Sequence, residues 1–168
     1  IGLNAFAGCG NLTSVYYNAT SCVDLDTESK VFYAAGTNGT GITLTIGETV
    51  EYIPAYLFYS KDQSSNTPKI TNISFGNENP CAIGNYAFYN CSSLKAIPSS
   101  EKLTTIGQYA FANCTAFKTI DIPATVTSIG NYAFNGCSNV TAVNFNDATV
   151  GIGDYAFAGL TKLTTLEV

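Results

Sequence analysis

A nine-residue phrase, written four times, constrains this chain more than any other feature. It reads "IGNYAFYNC" from Ile83, "IGQYAFANC" from Ile106, "IGNYAFNGC" from Ile129 and "IGDYAFAGL" from Ile152. Gly84, Gly107, Gly130 and Gly153 are evenly spaced, and so are Phe88, Phe111, Phe134 and Phe157. A fixed period of about 23 residues lies in the range that marks a solenoid, in which each unit buries its apolar face only by stacking on its neighbours.

Earlier units are degenerate. "IGETVEYIPAYLF" aligns with "IPATVTSIGNYAF" and puts Phe58 in the phenylalanine column, "IGLNAFAGC" adds Phe6, and Phe32 falls midway between. The column then holds seven phenylalanines, at longer intervals as far as Phe88 and at one constant interval from there on. The sequence therefore predicts one solenoid domain over residues 1–168, with regular repeats over 83–168 and irregular ones over 1–82. The extra residues fall in the polar loops "SCVDLDTES", "GTNGTG" and "SKDQSSNT", which read as insertions on a regular frame. Because the chain opens inside the repeated phrase, it is expected to be a piece of a longer polypeptide.

Within a unit the apolar spacing Φ-x-x-Φ-x-Φ, as in Phe117, Ile120 and Ile122 or Val140, Val143 and Phe145, suits a short strand with one face inward. The column glycines are placed at a sharp turn, where the lack of a Cβ helps. "NYAF" is expected to form a single helical or 3-10 turn that points Phe inward. Pro98 and Pro123 close their strands.

The motif Φ-Gly-x-Tyr-Ala-Phe-x-x-Cys-x-x-Leu-x-x-Ile, repeated at this fixed period, resembles the BspA-type leucine-rich repeat. The resemblance covers nearly the whole chain and is strongest over 83–168. It implies a curved leucine-rich-repeat solenoid with parallel strands on the concave side, in a secreted or cell-surface bacterial protein. Some members of that family are adhesins that bind matrix proteins.

Composition removes several functions. The chain has no His, Met or Trp. Without imidazole the ordinary Ser-His and Cys-His nucleophile pairs and His-containing zinc sites are excluded, and no cofactor motif is present. A net charge of −5 with seven basic residues offers no nucleic-acid footprint. No apolar run approaches the ~20 residues of a membrane span. The reading is a non-enzymatic module needing no cofactor, with a host, matrix or other surface protein as its partner. The rivals are a purely structural spacer and a carbohydrate-binding module built on the tyrosines.

Candidate sites follow from the columns. Cys91, Cys114 and Cys137 share a column with Cys9, three residues after Phe, where Leu160 also occurs. They read as small buried hydrophobes that complete a structural ladder with Phe88, Phe111, Phe134 and Phe157. Cys22 and Cys81 lie outside it, and a bridge between them would need a loop excursion. Tyr56, Tyr86, Tyr109, Tyr132 and Tyr155 form a second column, read either as half-buried cladding or as a sugar-docking stripe. On the expected concave face Tyr16, Asn72, Lys95, Lys118, Asp121, Asn144 and Glu167 are the candidate ligand contacts, among many Thr and Ser. "DLDTE" at Asp24 reads as a charged loop rather than an EF-hand, since Ser29 and Ala35 stand where Gly and Glu would be required. The Asn-x-Ser/Thr triplets at Asn90 and Asn113 arise from the repeat itself. Both ends are expected to expose core or strand edge, which favours end-to-end contacts.

Overall fold

The computed structural model describes residues 1–61, 64–76, 80–98, 100–146 and 149–168; the "SKDQSSNT" insertion thus lies partly outside the described residues. All strand pairings are parallel. The strands that follow the repeated phrase are β1 (Ser14–Tyr17), β2 (Ile42–Ile46), β4 (Ile70–Phe75), β7 (Thr119–Asp121), β9 (Ala142–Asn144) and β11 (Thr165–Glu167). They form two sheets, first β1-β2-β4 and then β11-β9-β7. Alternation is clear in "ITLTI" of β2, where Ile42, Leu44 and Ile46 are buried while Thr43 and Thr45 face outward. The rung containing Leu94 and Ile97 buries both side chains without entering a ladder, so the strand face is divided there.

A third sheet stands on another side of the rungs from Phe58 to Phe157. Its strands are β3 (Tyr52–Ile53), β5 (Cys81–Ile83), β6 (Leu103–Ile106), β8 (Ser128–Ile129) and β10 (Gly151–Ile152), in the order β10-β8-β6-β5-β3. The apolar spacing predicts strands on the concave face only. The segments just before each Ile-Gly pair are short, with Thr104-Thr105 and Thr127-Ser128 among them, and β-branched residues favour the extended chain.

The expected helical turn at "NYAF" is a run of linked β-turns instead. In the Phe88 rung, Ala87 N donates to Gly84 O (3.4 Å), Tyr89 N to Tyr86 O (3.2 Å) and Cys91 N to Phe88 O (3.0 Å). Alternate amides point away from the turn and reach the next rung: Tyr86 N to Gln108 O, Phe88 N to Ala110 O and Asn90 N to Ala112 O, each 2.9 Å. The same three donations recur from Tyr109, Phe111 and Asn113 and from Tyr132, Phe134 and Gly136. This outward aim requires a left-handed residue at Tyr56, Tyr86, Tyr109, Tyr132 and Tyr155, whose φ lies between 54° and 60°. Asn4 and Lys30 occupy the same position in the first two rungs, also at positive φ. A left-handed L-residue costs roughly 1–2 kcal/mol, and inter-rung hydrogen bonds and packing offset it.

The column glycines have a different role from the one predicted. Gly84, Gly107, Gly130 and Gly153 do not adopt a left-handed φ. A Cβ on Gly107 would stand 2.7 Å from the Asn85 nitrogen, and one on Gly130 would stand 2.5 Å from the Gln108 nitrogen. Glycine is present because two backbones pass too close for a side chain.

The core is continuous. Phe58, Phe88, Phe111 and Phe134 are fully buried, and the seven rings stack from Phe6 through Phe32 to Phe157 at centroid separations of 4.6 to 5.5 Å. Phe32 therefore takes the place assigned to it. Such aromatic pairs contribute about 0.5–1.5 kcal/mol each beyond area burial.

Candidate functional site

The strand faces bring the candidate ligand residues into rows. Parallel register puts Asp121, Asn144 and Glu167 in one row across β7, β9 and β11, and Asn144 Nδ2 donates to Asp121 Oδ1. Tyr16 shares a row with Thr45 and Ser74, and Asn72 shares one with Thr43 and Ser14. Lys118 is exposed just before β7, and Lys95 is exposed in the rung that makes no ladder. The seven residues thus do not share one sheet. Tyr16 and Asn72 belong to the first, Asp121, Asn144 and Glu167 to the second, and Lys95 lies at the division. A groove of about 300 Å³ lined by Ser100, Glu101, Asp121, Pro123, Ala124 and Asn146 borders the second sheet, making this end of the face acidic.

Many hydroxyls on these faces serve the neighbouring rung. Thr141 Oγ1 donates to Lys118 O (3.2 Å) and Thr164 Oγ1 to Thr141 O (3.1 Å). On the third sheet Thr104 donates to Cys81 O (3.3 Å) and Thr127 to Thr104 O (3.3 Å). Composition presents these threonines only as a polar surface; the recurrence of Thr at the same repeat position is the signal for the bonds.

The tyrosine column is a stack. Successive rings from Tyr56 to Tyr155 lie 4.7 to 5.0 Å apart, with interplanar angles of 1° to 16°. Tyr59 and Tyr89, which lie outside the column, form a second file beside it at 5.4 Å; each stands three residues after a column tyrosine. Ring faces that contact each other cannot contact a sugar, so the stack presents mainly edges and hydroxyls. Burial, then the neighbouring phenols, raises the Tyr86 hydroxyl above its ordinary range.

The cysteine ladder is buried and reduced, and all six cysteines are free. Cys91 Sγ donates to Phe58 O (3.4 Å), Cys114 Sγ to Phe88 O (3.4 Å) and Cys137 Sγ to Phe111 O (3.2 Å). Burial pushes the Cys137 thiol up to about 12 and raises Cys91 and Cys114 as well. A thiol held protonated is a poor nucleophile. Cys9, in the first rung, is exposed.

The "DLDTE" loop is structural. Asp24 Oδ1 accepts from Tyr52 Oη (2.7 Å) and Ala55 N (2.8 Å), while Asp26 Oδ1 accepts from Glu28 N (3.0 Å) and Ser29 Oγ (2.9 Å). Among the described residues no group of three His, Cys, Asp or Glu side chains could hold a metal ion, and no helix is long and apolar enough to cross a membrane.

Two crystallised proteins share this arrangement of rungs. The fold is similar to that of a leucine-rich-repeat protein from T. pallidum (TpLRR), with 23% identity and a TM-score of 0.64 over 92% of this chain and 62% of that one. It is likewise similar to a leucine-rich-repeat protein from Bacteroides ovatus, with 22% identity and a TM-score of 0.61 over 97% of this chain and 50% of that one. The chain thus spans between half and about three-fifths of the length of these two proteins. No curated protein matches it. The model of the BspA type leucine rich repeat region matches residues 1–68 and 61–168, in six copies. This chain belongs to the BspA type leucine-rich-repeat family.

Proposed function

We propose that the chain is a non-enzymatic recognition module of a bacterial surface or secreted protein, binding a host, matrix or other surface protein through the strand faces. The observation that carries this reading is the row Asp121–Asn144–Glu167, held in register across three parallel strands beside an acidic groove. Its chemistry suits a protein partner that presents Lys or Arg side chains and amide donors. Family membership supports a repeat module that works by contact rather than by catalysis, and the buried thiols provide no activated nucleophile.

Binding to immobilised matrix proteins and to a glycan array tests the proposal, with an Asp121→Asn/Glu167→Gln variant alongside. Saturable binding to a protein that weakens at least tenfold in the variant is the expected outcome. Binding unchanged by the variant would reject this face.

The threonine bonds favour a second reading, a spacer that holds other domains apart. Thr104, Thr127, Thr141 and Thr164 direct their hydroxyls to neighbouring rungs, which stiffens the array without recognising anything. Absence of binding in both formats is the outcome that reading expects.

A further inference from the structure

We infer that the turns of the Phe32 and Phe58 rungs form a binding site for one acidic sugar ring, a pyranose that carries a carboxylate. The site belongs to the turns rather than to the strand faces, so it does not depend on the reading proposed above.

The first observation is a break in the turn ladder. In the rungs of Phe58, Phe88, Phe111 and Phe134, three alternate amides of each turn donate to the next rung. The Phe58 rung does so with Tyr56 N to Asn85 O (3.0 Å), Phe58 N to Ala87 O (2.8 Å) and Ser60 N to Tyr89 O (3.1 Å). The Phe32 rung does not continue this pattern into the Phe58 rung. Ala34 N donates instead to Asn66 O (2.6 Å), in the insertion that follows Phe58, and Ala55 O accepts from Leu25 N (3.1 Å), in the "SCVDLDTES" insertion. Among the described residues Lys30 N and Phe32 N make no backbone bond to the Phe58 rung. Two inserted segments thus take the regular partners and part the two turns. Inside, the rungs stay closed, since Phe32 and Phe58 stack at 4.6 Å, the shortest step of the phenylalanine file. The opening is a fixed slot.

The second observation is what lines it. A cavity of about 140 Å³ is bounded by Thr27, Lys30 and Tyr33 from one turn and by Tyr59, Ser60 and Lys61 from the other. Two of the seven basic residues of a chain with net charge −5 meet there, and a cleft lined by one sign of charge concentrates the opposite one. Lys30 stands where the later rungs carry the column tyrosine, with a positive φ of 42°. Its Nζ lies 4.0 Å from Glu28 Oε2, and both side chains are exposed. So weak a surface pair yields to a ligand carboxylate.

The third observation is the ring. Tyr33, Tyr59 and Tyr89 each follow their phenylalanine directly. Tyr59 and Tyr89 stack at 5.4 Å, whereas Tyr33 is exposed and stacks on no other ring among the described residues. Its face is a platform for the apolar C–H face of a sugar, and Thr27 brings a hydroxyl that can both donate and accept. The volume sets the size, because it lies below the roughly 300 Å³ at which pockets for drug-sized ligands begin. One ring fits. An acidic protein side chain would use the lysines and leave the Tyr33 face uncovered.

Saturation-transfer NMR and chemical-shift titration of the 168-residue chain test this with methyl glucuronide, and with methyl glucoside as its neutral counterpart. The methyl glycoside of N-acetylneuraminic acid represents the other source of a ring carboxylate. At least one of the two acids should bind saturably, shift the amides of Lys30, Tyr33 and Lys61, and bind at least tenfold tighter than the glucoside. Tyr33→Ala should weaken that binding at least tenfold, and so should Lys30→Asn combined with Lys61→Gln. Asn tolerates the left-handed backbone at position 30, and circular dichroism checks that each variant is folded. Lys162→Gln removes an exposed positive charge elsewhere and should leave binding unchanged. The inference is overturned if neither acid binds, if the glucoside binds equally well, or if the site variants bind like wild type. Equal weakening by Lys162→Gln would reduce the effect to net charge, and a glutamate peptide that binds in place of both acids would assign the cavity to a protein; either result overturns it as well.

Discussion

Residues 83–168 and residues 1–82 build the same solenoid from unequal material. In the regular half every rung repeats at one interval, Gly, Tyr and Phe each hold their columns, and Cys holds its own until Leu160 replaces it in the last rung. In the irregular half the intervals lengthen, Asn4 and Lys30 replace tyrosine, and Pro54 replaces glycine. The phenylalanine stack passes through both halves, and so does the left-handed residue two positions before each ring. Those two features are what the fold requires. The tyrosine stack starts only at Tyr56 and the buried thiol ladder only at Cys91, so both are additions carried by the later rungs. The two halves meet where the strand face is divided, at the rung of Leu94 and Ile97, and the third sheet crosses that boundary from β3 to β10.

The phenylalanine stack should separate the two halves most strongly. Phe111→Ala removes a fully buried ring held between Phe88 and Phe134 and should cost about 3–5 kcal/mol. Phe6→Ala acts on an exposed ring in the irregular half, stacked on Phe32, and should cost less than half as much. Denaturant melts measure both, and equal losses would show the end of the stack to be packed as tightly as its middle.

A smaller effect is expected from the glycines. Gly130→Ala drives a Cβ to 2.5 Å from the Gln108 backbone, an overpacking that costs about 1–3 kcal/mol. Gly39→Ala, in an irregular-half insertion, meets nothing within 4 Å and should change stability by no more than about 0.5 kcal/mol. Loss of stability at Gly39 would show that the insertion is bound into the frame.

The smallest effect is the response to alkaline pH. Thiols of the unfolded chain ionise near a pH of about 8.5, while burial holds Cys81 and Cys137 protonated up to about 12. Above the unfolded value the unfolded state binds fewer protons, so stability is full below about pH 8.5 and falls as pH rises toward about 12. Each such thiol contributes at most about 1.4 kcal/mol per pH unit. Thermal melts between about pH 8 and 10 should therefore show a decline that Cys137→Ala reduces.

Much of this was legible in the sequence. The seven-membered phenylalanine column, including the irregular Phe32 rung, follows from spacing alone, and the buried cysteine column follows from Leu160 standing in for it. The third sheet was not legible, because Thr104-Thr105 and Thr127-Ser128 carry no alternating apolar pattern from which to infer it. Nor was the division of the strand face, since "LKAIPSS" has the same apolar spacing as rungs that do form ladders.

The sequence by itself determined the period, the number of rungs and the residues that face the core, because apolar side chains at a fixed interval have only one way to leave water together. Tertiary structure decided which residues bear the unusual backbone. The sequence suggests glycine for the left-handed position, yet tyrosine occupies it, held by amides that must reach the next rung. The column glycine sits instead where the neighbouring backbone leaves no space, while Gly8, Gly136 and Gly159 take a second left-handed position later in their turns. Both assignments depend on the distance between rungs, which a single repeat does not contain.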